Sequence, residues 1–536
     1  VTPRRFAAIL AAVAVLLTGP IAKAQAQAQS QDLRLGIALE TDTLDPHFHW
    51  FGATIGLTRQ IYDPLVAVDA DGKLVPLLAT SWHPVGNDAW AFDLRDATFS
   101  DGTKLTPDDV AFTFQRARDV PNSPTGFGSY LLSVASVETT GPHSILVHTK
   151  GPSPLLPQLL SSIEIVSRHA GEGASTADYN STKAAIGTGP YRVITWERGG
   201  SMTLERNDHY WGPKPEWQRV KIRYIPNPGA RVSALMAGDV DLIDQVSATD
   251  IAQIAANPAF RVTKSVSYAI VGFLPDVTER VPPFITNNDG TTPQHNPLAD
   301  LRVRQAIDMA IDRKAIAYRL MAGAAVPATQ IMLPGQYGYD KSIPPTPFDP
   351  TAARAKLTEA GYPDGFHMAI HCQLRFYNAD GFCAAVAQML TRAGIHAEPV
   401  PMPHSMYVTR SIKHEFSFGT AFSLVDMADP STPLISNSAT YGGANGWGSS
   451  NRGRYSSPAL DALLAQAQVQ IDPAKREDLL RRATRIVLSD EAFIPVFRPM
   501  NVEAMKKGLI HEPATEGYVF AADVHKAKDG TGQAAR

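Results

Sequence analysis

Strand-like and helix-like segments alternate along almost the whole chain, and this interleaving constrains the fold more than any single residue does. In Lys221-Ile222-Arg223-Tyr224 and Met202-Thr203-Leu204-Glu205 every second side chain is apolar, the period of a half-buried strand. Asp349-Pro350 sets a cap and a first-turn proline ahead of a helix over 352–360, which Gly361 and Pro363 terminate. Residues 301–311 read as a helix that restarts at Asp312 and stops at Gly323, and 460–469 with 476–488 read as a later helical pair. Mixed order without internal repeats predicts α/β lobes. The Pro/Gly-rich stretches 281–297 and 333–350 read as loops draped over those lobes.

A chain of 536 residues exceeds what one hydrophobic core supports, so two or three packed units are expected. With 49 Lys+Arg against 52 Asp+Glu the formal net charge is −3, which argues against nucleic acid as a partner. The two cysteines, Cys372 and Cys383, cannot form a disulfide framework and lack zinc-ribbon or thioredoxin-like spacing. Two readings stay open: ordinary buried thiols, or one bridge whose short loop would stabilise the fold by roughly 2–3 kcal/mol.

The first thirty residues say where the protein works. Arg4 and Arg5 precede an apolar run too short to span a membrane, Pro20 breaks it, and Ala22-Lys23-Ala24 offers the small residues that a signal peptidase reads. Residues 1–24 are therefore expected to be a signal peptide, with cleavage at Ala24, Ala26 or Ala28, and Sec export is preferred over the twin-arginine route. No cysteine lies near the cleavage region to carry a lipid anchor, so the mature form is expected to be freely soluble, with 46 basic and 52 acidic residues.

Catalytic and metal motifs are absent or incomplete. His414-Glu415 and His511-Glu512 each begin a zinc-protease pattern, but Phe418 and Thr515 stand where the second histidine belongs, and both read as surface dipeptides. Gly187-Thr188-Gly189 runs into Pro190-Tyr191, a turn and not a dinucleotide fingerprint. Asp69-Ala70-Asp71-Gly72 reads as a hairpin turn, because Leu74 and Pro76 follow where calcium ligands belong. His47 and His49 could share a strand face, yet no third ligand sits nearby, so no metal and no cofactor are expected. There is no nucleophile elbow and no phosphate loop, and the protein is expected not to be an enzyme.

Several ordered segments carry a family likeness. Leu44-Asp45-Pro46-His47, Ile61-Tyr62-Asp63-Pro64-Leu65-Val66, Leu78-Ala79-Thr80-Ser81-Trp82 and Phe99-Ser100-Asp101-Gly102-Thr103 with Leu105-Thr106-Pro107-Asp108-Asp109-Val110 open the pattern. Gly187-Thr188-Gly189-Pro190-Tyr191, Asn207-Asp208-His209-Tyr210-Trp211 and Ala237-Gly238-Asp239-Val240-Asp241 continue it. Val303-Arg304-Gln305-Ala306 with Ile311-Asp312-Arg313, Ala360-Gly361-Tyr362-Pro363-Asp364-Gly365 and Tyr455-Ser456-Ser457-Pro458 complete it. Together they resemble the extracytoplasmic solute-binding proteins of ABC importers, family 5, the group that binds peptides, nickel complexes and related solutes.

The resemblance implies an α/β, two-lobed periplasmic-binding-protein clamshell of type II, class C, with an extra domain inserted in the first lobe. Lobe I would combine 32–62, 186–268 and 499–526, the insert 63–185, and lobe II 269–498. The implied role is capture of a short peptide or similar amine-bearing solute in the periplasm and delivery to the membrane subunits of an ABC permease, by a monomer. By position in the family, Asp426 would pair with the ligand's α-ammonium and Arg375 would grip its carboxylate with a planar fork. Trp50, Phe51 and Gly52 fall on the loop that in relatives lines the first-lobe side of the cleft, and Phe127 and Trp447 occupy further aromatic positions near it. Ser423 departs from the tryptophan that relatives carry three residues before the aspartate, which implies a reshaped pocket. A nickel chelate, an opine or an oligosaccharide is the alternative solute, and an exported hydrolase or a chaperone the alternative class.

Overall fold

The strand Ala269–Pro275 is buried at every residue, whereas Arg219–Tyr224 buries only alternate side chains. The first is covered on both faces and the second on one. Both belong to a mixed sheet of 13 strands in the computed structural model, which describes residues 32–527 apart from 70–72, 125, 375–377, 426–428 and 443–445.

The long strand Ile494–Lys506 is the seam of that sheet. Its first residues pair with Ala269–Pro275 and Ala325–Pro327, its last with Phe260–Val266 and Leu242–Ile243. Around the first half lies a core in which Phe273 stacks on Phe418 and Phe382, with ring centroids 4.8 and 5.5 Å apart. Around the second half lies another, built from Leu35, Val220, Ile222, Leu242 and Met505. The chain passes between these two cores along neighbouring strands.

Close approach decides residue choice on this seam. A Cβ at Gly272 would lie 2.3 Å from the Ile494 carbonyl oxygen, where the register of the two strands shifts. Arg498 is 1% exposed and donates to the carbonyls of Ile331 and Ser267, with no ion-pair partner among the described residues. Burial pushes its guanidinium down to about 10.

A separate antiparallel sheet of four strands, in the order Ala79–Val85, Ala89–Leu94, Ser144–Thr149, Val134–Gly141, carries its own core of Phe92, Phe99, Phe114 and Phe127. The helix Pro107–Arg118 flanks it, with Asp108 and Asp109 at its positive end and Arg116 and Arg118 at its negative end. The Gly187-Thr188-Gly189 turn returns the chain to the sheet of 13 strands, which Tyr191–Glu197 joins. A Cβ at Gly187 would fall 2.1 Å from the Ile61 carbonyl oxygen, and the Gly189 amide donates to that same oxygen at 2.8 Å.

The helix expected over 352–360 is Pro350–Glu359, with Asp349 accepting the amides of Thr351 and Ala352. The helix Leu301–Ala310 ends two residues before Asp312, and its continuation is a π-helical turn, Ala315–Leu320. Val66–Val68 pairs with Leu74–Pro76 as a hairpin whose tip lies outside the described residues. Cys372 and Cys383 form a disulfide, Cα atoms 6.1 Å apart, tying the strand His367–Leu374 to the helix Ala379–Ala393. No helix of the described residues is long and apolar enough to cross a membrane.

Candidate functional site

The parallel strands Asp32–Ile37, Arg219–Tyr224 and Leu242–Ile243 lie side by side and end at the same edge of the sheet. In α/β sheets the carboxyl ends of parallel strands are where ligands sit, because the chain splays apart there and leaves backbone and side chains facing a crevice. Here that edge borders a cavity of about 650 Å³. Ile37 and Ala38, Tyr224, and the run 244–248 reach it from the strand ends, and the antiparallel long strand contributes 500–503. Met321, Ala324 and Leu424, from the 269–498 part of the chain, close it from another side.

The helix Gly52–Thr58 supplies one wall through Gly52 and Gly56. A Cβ at Gly56 would lie 2.9 Å from the Tyr518 ring, so the bare helix surface lets that aromatic lie flat against it. Tyr518 is held there by its neighbours: Asn501 Nδ2 donates to the carbonyls of Ala514 and Thr515 at 2.9 and 3.0 Å, and Glu516 pairs with Arg59 at 3.0 Å.

Most of the lining is apolar, and its charges gather at one end. The Leu242–Ile243 strand pairs antiparallel with the long strand, Ile243 facing Ala504, and the next residue on the first chain segment is Asp244 while Glu503 precedes Ala504 on the second. Both are at least 95% buried. Asp244 Oδ1 accepts the Ala38 amide at 2.8 Å, and its nearest cation, Arg231 Nε, is 3.7 Å away. Burial, only partly countered by Arg231, pushes the Asp244 carboxyl up to about 7. The Arg231 guanidinium is itself spent on carbonyls, donating to those of Ile225, Pro226, Asp244 and Gln245 at 2.7, 2.9, 3.3 and 2.9 Å. Glu503 Oε2 lies 2.6 Å from His511 Nδ1, while Glu503 Oε1 and the Tyr224 hydroxyl are buried with no partner among the described residues. Burial lowers the His511 imidazole, but the Glu503 carboxylate outweighs it and the net shift is upward.

His511-Glu512 is therefore no surface dipeptide: His511 is 2% exposed and pairs with the lining residue Glu503, although Glu512 is exposed. Nothing local marks it, since the partner Glu503 is reached only through the fold of the long strand onto the segment after it. His414 and Glu415 are half-buried.

The expected site residues separate. Trp50 and Gly52 line the cavity. Phe51 is 40% exposed, tilted against His49 with centroids 5.7 Å apart, and is not among the lining residues. Phe127 is buried in the core of the four-stranded unit, 5.6 Å from Tyr130 and edge-on to His47 at 6.4 Å. Trp447 is half-buried against the core around Leu434 and Leu464. Asp426 and Arg375 lie outside the described residues. Ser423 Oγ accepts a 2.6 Å hydrogen bond from Asn437 Nδ2, and Phe422 beside it packs on the core. His47 uses both ring nitrogens on the protein, Nε2 with the Glu164 carbonyl at 2.8 Å and Nδ1 with Arg116 at 2.9 Å. Among the described residues no group of three His, Cys, Asp or Glu is placed to hold a metal ion.

Comparison with known proteins supplies the class. Residues 73–445 match the family model for bacterial extracellular solute-binding proteins, family 5, middle region. A Brucella ovis protein named a candidate ABC transporter peptide-binding protein is 29% identical over 496 residues, covering 88% of this chain and 89% of its own. HbpA2 from Haemophilus parasuis superimposes with a TM-score of 0.79 at 24% identity, over 93% of this chain and all of that one. A periplasmic murein tripeptide binding protein, MppA, in its unliganded open form, gives 0.77 at 22% identity over 92% and 97%. The fold is thus that of two-lobed periplasmic binding proteins, and the chain belongs to the bacterial extracellular solute-binding proteins of family 5.

Proposed function

We propose that the protein is the periplasmic solute-binding component of an ABC importer, which encloses a short peptide or similar amine-bearing solute between its lobes and hands it unaltered to a membrane permease. The observation that carries this reading is the cavity itself: about 650 Å³, built at the carboxyl ends of parallel strands in one lobe and bordered by Met321, Ala324 and Leu424 of the other. The Brucella relative's name and the murein tripeptide binder's title support a peptide-like solute.

Lobe I in this reading combines 32–62, 186–268 and 499–526, the insert is 63–185 and lobe II is 269–498. In support, the joints at 268/269 and 498/499 fall between the pairings of the long strand with Phe260–Val266 and with Ala269–Pro275, where a hinge would bend both chain segments. The protein acts as a monomer, and its task is binding without turnover.

Asp426 takes the ligand's α-ammonium and Arg375 its carboxylate. In support, Asp426 follows the lining residue Leu424 by two positions, and Arg375 directly follows the strand His367–Leu374. Native mass spectrometry of the purified protein should reveal a retained amine-bearing solute, and titration calorimetry with it should show Asp426→Ala weakening binding more than a hundredfold, about 3 kcal/mol for stranding a buried charge. Affinity unchanged in that variant would remove the amine anchor, and new cleavage products from candidate peptides would remove the non-enzymatic reading.

A further inference from the structure

We propose that the cavity is an apolar chamber that seats a hydrocarbon or aromatic side chain of the solute, so that the protein selects hydrophobic peptides over charged or amide-bearing ones. The proposal rests on the peptide-like reading of the cavity and names the side-chain class that it accepts.

Apart from Gln245 and Tyr518, the polar side chains of the described lining spend their hydrogen bonds on the protein itself. Gln60 Nε2 donates to the Gly56 and Val519 carbonyls at 3.2 and 2.8 Å, and its Oε1 accepts the Ala521 amide at 3.1 Å. Ser247 Oγ lies 2.7 Å from both Thr249 Oγ1 and Asp250 Oδ2. Asn501 Nδ2 is held by two backbone carbonyls and Arg231 by four. Glu516 is taken by Arg59, and Asp244, 5% exposed, accepts the Ala38 amide. Glu503 Oε2 meets His511, while Glu503 Oε1 and the Tyr224 hydroxyl have essentially no accessible surface, so neither opens into the chamber.

The rest of the lining is hydrocarbon and aromatic ring. Four lining residues are exposed, and three of them, Leu39, Pro226 and Pro228, are apolar; Gln245 is the fourth. Leu39 is 48% exposed and stands just beyond the carboxyl end of the strand Asp32–Ile37, at the edge where ligands sit. An exposed leucine alone is ordinary, but this one borders an apolar cavity, and a guest that covers it removes that surface from water. Tyr518, flat against Gly56, adds an aromatic face.

Selectivity follows from this lining. A charged or amide-bearing side chain entering the chamber would shed its water and meet donors and acceptors that are already engaged. A hydrocarbon gives up water for matching surface, and each buried methylene is worth about fourfold in affinity. In the proposed mode of capture the charged ends of the peptide belong to Asp426 and Arg375, which leaves a side chain for the chamber.

Titration calorimetry on the mature full-length protein compares leucine with asparagine, side chains of nearly the same shape, at each position in turn of an alanine tripeptide. At one position or more the wild type should bind the leucine peptide at least tenfold tighter. Leu39→Asn and Met500→Gln, both nearly isosteric changes in the lining, should each cut that ratio at least threefold, and the second variant serves if the first does not fold. A purely structural role for either side chain would weaken both peptides alike and leave the ratio intact. A wild-type ratio near one at all three positions, or a ratio unmoved in both variants, overturns the apolar selectivity while the peptide reading stands. Binding of none of these peptides to the wild type overturns the peptide reading and the selectivity with it.

Discussion

Two buried acid–base clusters are built to opposite specifications. At the joint with the four-stranded unit, Asp45 accepts from Arg116 at 2.6 and 2.8 Å, from Thr176 at 2.7 Å and from the His47 amide at 3.1 Å. Arg116 also stacks 4.3 Å over the Tyr179 ring. Both carboxylate oxygens are used. At the cavity end, Asp244 has one amide and a distant guanidinium, and Glu503 keeps an oxygen free. A saturated cluster locks two chain segments together, whereas an open one leaves a buried acceptor unsatisfied.

The electrostatics separate in the same way. Burial alone would raise the Asp45 carboxyl, but Arg116 holds it below the usual carboxylate range. Asp244, with its cation turned aside, is pushed up to about 7. His47 serves Asp45's neighbour as a neutral ring, Nδ1 accepting from Arg116 and Nε2 donating to the Glu164 carbonyl, and burial with Arg116 beside it pulls it down to about 4.

The sharpest break of this comparison is stability. Asp45→Ala strands the buried Arg116 guanidinium and should cost about 3–5 kcal/mol in urea unfolding, whereas Glu503→Gln should stay within about 1 kcal/mol. Equal losses would mean that the two clusters are equally saturated.

Next in size is the pH dependence, where the two clusters should slope oppositely. Between about pH 4 and 7 the unfolded chain ionises Asp244's carboxyl and the fold resists, so its contribution is full at acid pH and lost as pH rises through 7. Arg231 and Glu503 act on it throughout that window. Asp244→Asn should therefore gain about 2 kcal/mol over the wild type at pH 8 and nothing at pH 4. For His47, the unfolded chain binds a proton below about 6.5 that the fold refuses until about 4, so stability falls as pH drops through that interval. His47→Gln should flatten that acid limb in the same unfolding series.

The smallest effects compare adjacent aromatics. Trp50→Ala removes a cavity wall and should weaken solute binding about tenfold, roughly 1–2 kcal/mol by calorimetry. Phe51→Ala, at an exposed position, should change binding and stability by less than about 0.5 kcal/mol.

Local pattern carried the elements far better than the site. Alternation in 219–224 and the Asp349-Pro350 cap are written in neighbouring residues, so the strand and helix were legible there. The ordered motifs with their turns and caps carried the two-lobed class. Asp244 and Glu503 lie nearly half the chain apart, and the partnership of Glu503 with His511 needs the long strand to fold onto the segment behind it. Neither has a spacing signature, which is why His511 read as a surface residue. Phe127 shows the converse: an aromatic at a family position reads alike in sequence whether it faces a ligand or, as here, packs in a core. The cysteine pair was ambiguous because eleven residues of separation permit a bridge without requiring one, and only the adjoining strand and helix bring the sulfurs together.

Closure on a guest tests the account most directly. Small-angle scattering of the mature protein should be recorded alone and with saturating Ala-Leu-Ala, or with whichever solute native mass spectrometry finds retained. The account predicts a smaller radius of gyration in the bound state as the two lobes shut over the cavity. Superimposable curves at confirmed saturation would contradict it.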